Sequence, residues 1–276
     1  MKPVKMKVSA MPKRLIGSRQ RGISLIEIMV ALVISLVLLA GFVQIFVSSK
    51  KTYQVQSNVG RLQENGRFAL DVLTRNLRQA GYSDFSSDVH KSSDFVGAPS
   101  SAADTLCILS GHTRFICGTN GSGTESDWVQ VSFDASKDCL GNALPSAAEG
   151  VAVNRFTVDS NGNLACLGNG NAGSQPMVEG VQEMRIRYGI NSGGKVDQVA
   201  TRYIPAPSAG STDWDRVVSV RLCLVIRSLE DNQVDKPLDY QDCSDAKVTP
   251  TDRRMRRRFT ATINTRNRAK DSPALW

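Results

Sequence analysis

The stretch RGISLIEIMVALVISLVLLAGFVQIFVSS, residues 21–49, decides the fold. Its last 22 residues, Ile28 to Ser49, carry no charge. As a helix rising about 1.5 Å per residue they span roughly 33 Å, enough to cross a hydrocarbon core of about 30 Å. Residues 1–22 hold Lys2, Lys5, Lys7, Lys13, Arg14, Arg19 and Arg21 and no acid. Such a positive flank stays on the cytoplasmic side, so the chain beyond the apolar run is expected outside the inner membrane. A cleaved secretory signal has the same basic start and apolar core. Two features oppose that reading. No small-x-small site closes the run, which leads through Lys50, Lys51 and Tyr53 into a further helical pattern, and an acid, Glu27, lies inside the apolar segment. A carboxylate near the membrane is costly and calls for a partner.

The basic leader also accounts for the charge of the chain. The 276 residues include 34 Lys+Arg against 26 Asp+Glu, a formal net charge of +8. Beyond residue 22 there are 27 basic against 26 acidic residues, so the body is nearly neutral and nucleic acid is disfavoured as a partner. A second basic cluster, Arg253, Arg254, Arg256, Arg257, Arg258, Arg266, Arg268 and Lys270, lacks aromatic interleaving. It reads as a charged strand edge or solvated tail in preference to a phosphate-contacting patch. With 41% hydrophobic residues, the chain is neither wholly disordered nor a polytopic membrane protein.

The string Arg21-Gly22-Ile23-Ser24-Leu25-Ile26-Glu27, followed by the apolar run, resembles the class III signal of type IV pilins and pseudopilins. The resemblance implies cleavage by a prepilin peptidase between Gly22 and Ile23, methylation of Ile23 and a fifth mature residue at Glu27. Ile23 stands where Phe is usual, and the 22-residue leader is longer than most, so Met6 or Met11 is an alternative start. Cutting ahead of the apolar segment keeps it on the mature protein, first as an anchor and then as a helix in a filament core. In either place Glu27 needs a counter-charge, which the α-amino group of a neighbouring subunit would supply.

After Lys51 the apolar residues Val55, Val59, Leu62, Ala69, Leu73 and Leu77 recur at mostly three- or four-residue steps among charged ones, which predicts an amphipathic helix ending near Gly81. Gly41, Gly60 and Gly66 are candidate bends. RLQENGRFALDVLTRNLRQAGY, residues 61–82, resembles the corresponding helix of PilW-type minor pilins, and RVVSVRLCLVIRS (216–228) and DRRMRRRFTATINTRNR (252–268) extend that likeness. The expected organisation is a prepilin leader (1–22), a transmembrane and filament-core helix (23–49), an amphipathic helix (50–81) and a β-rich periplasmic head (82–276).

Alternation predicts half-buried antiparallel strands at Trp128 to Phe133, Glu183 to Tyr188, Val217 to Arg227 and Arg258 to Asn264, with Val218, Val220, Leu222, Leu224 and Ile226 on one face of the third. Gly118 to Gly123, Asn161 to Gly173 and Asn191 to Gly194 read as loops. The fold class is therefore α+β, a pilin-like long N-terminal helix packed on an antiparallel sheet. Cys107, Cys117, Cys139, Cys166, Cys223 and Cys243 all fall in the head, and an even count in an oxidising compartment favours disulfides. Fifteen connectivities are possible; pairing in chain order is the simplest.

Signs of catalysis are weak. Gly168, Gly170 and Gly173 match GxGxxG without a following helix, Ser244 and Lys247 form a lone SxxK, and Asp159, Asn161 and Asn163 alternate as in a calcium loop that lacks its distal acid. Each is better read as a turn or loop. His90 and His112 are isolated. No metal, cofactor or enzyme activity is expected. The resemblance implies a minor pilin in a tip or assembly-priming complex that promotes pilus biogenesis. Its partners would be other minor pilins, the major pilin, prepilin peptidase, the inner-membrane assembly machinery and, before assembly, membrane lipid. The protein would sit as a single-pass inner-membrane protein and then in the filament, at its tip. The alternatives are a type II secretion pseudopilin and a membrane-anchored periplasmic module that binds DNA or another polyanion.

Overall fold

The computed structural model describes residues 22–82, 107–109, 112–123, 125–146, 150–170, 173–193, 199–209 and 211–267. Helix α1 runs Leu25–Gln79, through Gly41, Gly60 and Gly66 without interruption. The strands are β1 (Ile108–Leu109), β2 (His112–Thr113), β3 (Ile116–Thr119), β4 (Trp128–Asp134), β5 (Val151–Val158), β6 (Asn163–Gly168), β7 (Gln175–Glu179), β8 (Val181–Ile190), β9 (Arg202–Ile204), β10 (Val217–Arg227), β11 (Tyr240–Gln241), β12 (Lys247–Val248) and β13 (Arg256–Asn264). Residues Met1–Thr52 and Tyr53–Trp276 are separate compact units.

In the first unit the described part of α1 is apolar on all sides, and every described side chain is exposed. It is long and apolar enough to cross a membrane by length and composition.

The second unit is the head. Two antiparallel sheets, ordered β3-β4-β5-β6-β7 and β13-β10-β8-β9, enclose one core together with the later part of α1. The helix contributes a stripe, Leu62, Gly66, Ala69, Leu73 and Leu77, at four- and three-residue steps. Gly66 is needed for closeness: a Cβ there would lie 2.3 Å from the Phe259 ring on β13. Leu73 meets a core that includes Ile116, Phe156, Met184, Tyr188 and Leu222. At about 25 cal/mol per Å² of apolar surface removed from water, burial of such side chains is the main stabilising term for the head.

Strand β10 is central to its sheet, paired with β13 on one side and β8 on the other. Its inward residues Val220, Leu222, Leu224 and Ile226 match the expected alternation. Val218 does not. A register shift between Val217 and Ser219 puts Val217 into the shared core instead.

Two further expectations need correction. Strand β4 is not half-buried, since Gln130 and Ser132 on its alternate positions are buried as well. Asn161 to Gly173 is not one loop either: Asn163–Gly168 forms β6, with Leu164, Ala165 and Cys166 buried. The Asp159 carboxylate makes the turn into it by accepting from the backbone N–H groups of Asn161 and Asn163, both at 2.9 Å.

Three disulfides staple the head in chain order. Cys107 bonds Cys117, Cys139 bonds Cys166 and Cys223 bonds Cys243, with Cα separations of 5.6, 6.6 and 5.7 Å. The second ties the 135–143 loop to β6, and the third ties the β11–β12 hairpin to the outward face of β10.

Candidate functional site

The N-terminal segment forms the beginning of α1. Gly22, Ile23 and Ser24 precede α1, and the Ser24 carbonyl accepts from the N–H groups of Glu27 at 3.0 Å and Ile28 at 3.2 Å. Ser24 and Glu27 thus stand in the S-x-x-E spacing of a capping box, with the acid in the first turn, where the helix dipole favours negative charge. Glu27 is exposed and has no hydrogen-bond or ion-pair partner among the described residues. Around it Ile23, Leu25 and Ile26 are 70, 77 and 64% exposed. An apolar surface of that extent bearing one unpaired carboxylate is a surface for lipid or for other helices, and in either setting the charge demands a cation.

The other sequence candidates resolve into structure. Gly168 ends β6 and Gly170 follows it, both pressed on the Asp138 side chain, whose Oδ2 accepts from the Gly170 N–H at 3.0 Å. That arrangement closes a loop and offers no phosphate cradle. Ser244 Oγ donates to Asp242 at 2.8 Å, while Lys247 pairs with Asp239 at 2.7 Å, so the SxxK residues have separate partners. His112 lies in β2, and His90 falls outside the described residues. No group of three or more potential metal-binding His, Cys, Asp or Glu occurs among the described residues.

Of the C-terminal arginines, Arg256, Arg257 and Arg258 sit on an edge strand, β13, and most of those described have local partners. Arg256 takes Asp252 in a two-toothed grip at 2.6 and 2.7 Å and donates to Gln182 at 2.7 Å. The Arg256 side-chain bond, helped by the Arg254 N–H and by the charges of both arginines, outweighs partial burial and holds the Asp252 carboxyl below its ordinary range. Arg258 pairs with Asp245, and Arg254 donates to the carbonyls of Ser228 and Leu229. Arg268 and Lys270 lie outside the described residues.

Sequence reasoning did not single out Arg185. Its guanidinium donates to the carbonyls of Gly121, Gly123 and Glu125 and to the carboxylates of Asp127 and Glu183, pinning the 120–127 loop to β8. Its only signal in the sequence is a charge at an outward position of an alternating strand.

Comparison with known proteins places these features. A family model described as Type IV Pilus-assembly protein W matches residues 155–267, and one for the prokaryotic N-terminal methylation motif matches residues 17–43. No curated protein matches the chain significantly. Among solved structures, the chain is similar to a type IV-like pilin from Thermus thermophilus, with 17% identity, 76% of this chain and 99% of that chain covered, and a TM-score of 0.42. The two family matches fall on the start of the apolar helix and on the strands β5 to β13 of the head. The chain therefore carries a prokaryotic N-terminal methylation motif at residues 17–43 and a PilW-type pilus-assembly domain at residues 155–267, the two features it shares with type IV pilins.

Proposed function

We propose that the protein is a minor pilin of a type IV pilus, acting in a tip or assembly-priming complex that promotes pilus biogenesis. Prepilin peptidase cuts between Gly22 and Ile23 and methylates Ile23. Residues 23–49 then hold the protein in the inner membrane with the head in the periplasm, until the same segment packs among other subunits in the filament. Residues 50–81 carry the head on the helix. The protein works by binding, with other minor pilins, the major pilin and the assembly machinery as partners.

The observation that carries this reading is a methylation motif on an apolar helix whose described residues up to position 54 are all exposed, with Glu27 in its first turn unpaired among the described residues. In a filament the α-amino group of a neighbouring Ile23 gives that carboxylate its cation. Breaking a buried pair by removing one partner costs about 3–5 kcal/mol. Glu27→Val is therefore expected to leave membrane insertion and leader removal intact while lowering incorporation into sheared pili by about a hundredfold or more. Immunoblots of membrane and pilus fractions read both quantities. Normal incorporation of the variant would contradict the proposal.

A further inference from the structure

The outward face of the β13-β10-β8-β9 sheet carries a groove of about 690 Å³. Its floor includes Arg185 and Arg187 of β8, Arg221 of β10 and Arg258 of β13. One wall is the hairpin turn at Cys243, Ser244 and Asp245, fixed to the floor by the Cys223–Cys243 disulfide. The opposite wall is the loop at Asn120 and Gly121, held by Arg185.

Two of these arginines are committed. Arg185 is paired with Asp127 at 3.1 Å and Glu183 at 3.0 Å, and Arg258 with Asp245. Arg187 and Arg221 are not: both are exposed, and neither has a carboxylate or a hydrogen-bond acceptor among the described residues. They stand directly opposite each other across β8 and β10. Like charges in that position destabilise a sheet, so the pair is a liability unless an anion joins it.

Arg221 is also held in place. Its guanidinium lies 4.1 Å from the centre of the Tyr203 ring, and the Tyr203 hydroxyl accepts from Ser219 Oγ at 3.1 Å. Gly189 makes this possible, because a Cβ there would come within 2.3 Å of Ser219 Oγ and 2.9 Å of the Tyr203 ring. Stacking uses the face of the guanidinium and leaves its in-plane N–H donors for a ligand, the geometry that suits a carboxylate.

We propose that this groove docks a carboxylate-bearing peptide segment of a neighbouring pilus subunit, with Arg187 and Arg221 gripping one acidic side chain between them. The partner's identity as a pilus subunit rests on the function proposed above. Charge complementarity selects the chemistry. Two unpaired cations side by side match one or two carboxylates, whereas a nucleic-acid strand draws its affinity from a run of cations along its phosphates and from free aromatic faces. One face of Tyr203 is already taken by Arg221. Hydroxyls of Ser244, Thr260 and Thr262 line the same groove and can bond a peptide backbone.

The test uses the full chain in non-ionic detergent and fluorescence anisotropy, with labelled hexaglutamate as one probe and labelled single-stranded oligothymidylate as the other. Hexaglutamate is expected to bind, and the Arg187→Gln/Arg221→Gln double variant to weaken it by about tenfold or more. Lys236→Gln, an exposed charge outside the groove, is expected to leave it unchanged. The thermal midpoint of the double variant should stay close to that of the parent, since relief of the opposed like-charge pair offsets loss of the Arg221–Tyr203 contact. The proposal is overturned by absence of hexaglutamate binding, by binding indifferent to the double substitution, or by oligothymidylate binding more tightly with the same arginine dependence. The N-terminal mass of the same sample separates the two claims: a chain starting at Ile23 that fails to bind removes the groove alone, and an unprocessed chain that binds removes the pilin reading alone.

Discussion

Residues Leu25–Thr52 and Tyr53–Gln79 share one helical backbone and differ in what their side chains meet. In the first stretch Leu36 and Phe42 are 68 and 71% exposed; in the second Ala69 and Leu73 are fully buried. Apolar content does not explain this, because the first stretch has more of it. Distribution does. A helix apolar all round cannot satisfy itself on one sheet and needs lipid or other helices on every side, while a helix with one stripe completes its burial against its own domain. The proposed function uses the stretch that the chain itself leaves uncovered.

Truncation is the strongest way to break this contrast. Leu73→Ala should cost the head about 2–5 kcal/mol, by lost transfer energy and by the cavity left in a packed core. Leu36→Ala should leave the head's denaturant midpoint where it was. Equal effects in unfolding monitored by tryptophan fluorescence would dissolve the distinction.

Glycines sharpen it. Gly66→Ala places a methyl group into the Phe259 ring and should destabilise by about 1–3 kcal/mol. Gly60→Ala, with nothing within 4 Å of the new Cβ, should stabilise by up to about 1 kcal/mol through helix propensity. The same chemical change then has opposite signs six residues apart, read as opposite shifts of the thermal midpoint.

Acid should act on the head through its depressed carboxyls. The Arg256 bonds hold Asp252 low, and hydrogen bonds from Asn163 and its neighbours outweigh desolvation to hold Asp159 low. With the folded pKa below the unfolded value of about 3.9, the unfolded chain binds more protons in that window. The stability these groups give is present above pH ~4 and is lost as pH falls through their folded values. Asp252→Asn should flatten the acid limb of the unfolding profile. An unchanged limb would show that the pair contributes nothing there.

How much of this was legible follows the same physical line. The helix and β10 are local patterns, and their periods of about 3.6 and 2 stand in the sequence. Strands β5 and β6 were hidden because polar residues occupy buried places in or beside them. Asn154 donates to Asn76 on the helix and accepts from the Cys139 N–H, and Asn169 bonds the backbone of Val151 and Val153. Only tertiary partners make such residues core-compatible, and a single sequence does not state them. The N-terminal motif was readable because its residues are consecutive. The arginine pair was not, since Arg187 and Arg221 meet only through the register of two strands.

The central claim is that the exposed helix is retained after leader removal and used for assembly. Intact mass and N-terminal sequencing of protein recovered from membranes test it most directly. The account predicts a chain that begins at methylated Ile23 and keeps Glu27. A chain beginning at Met1, or beyond Ser49, would contradict it.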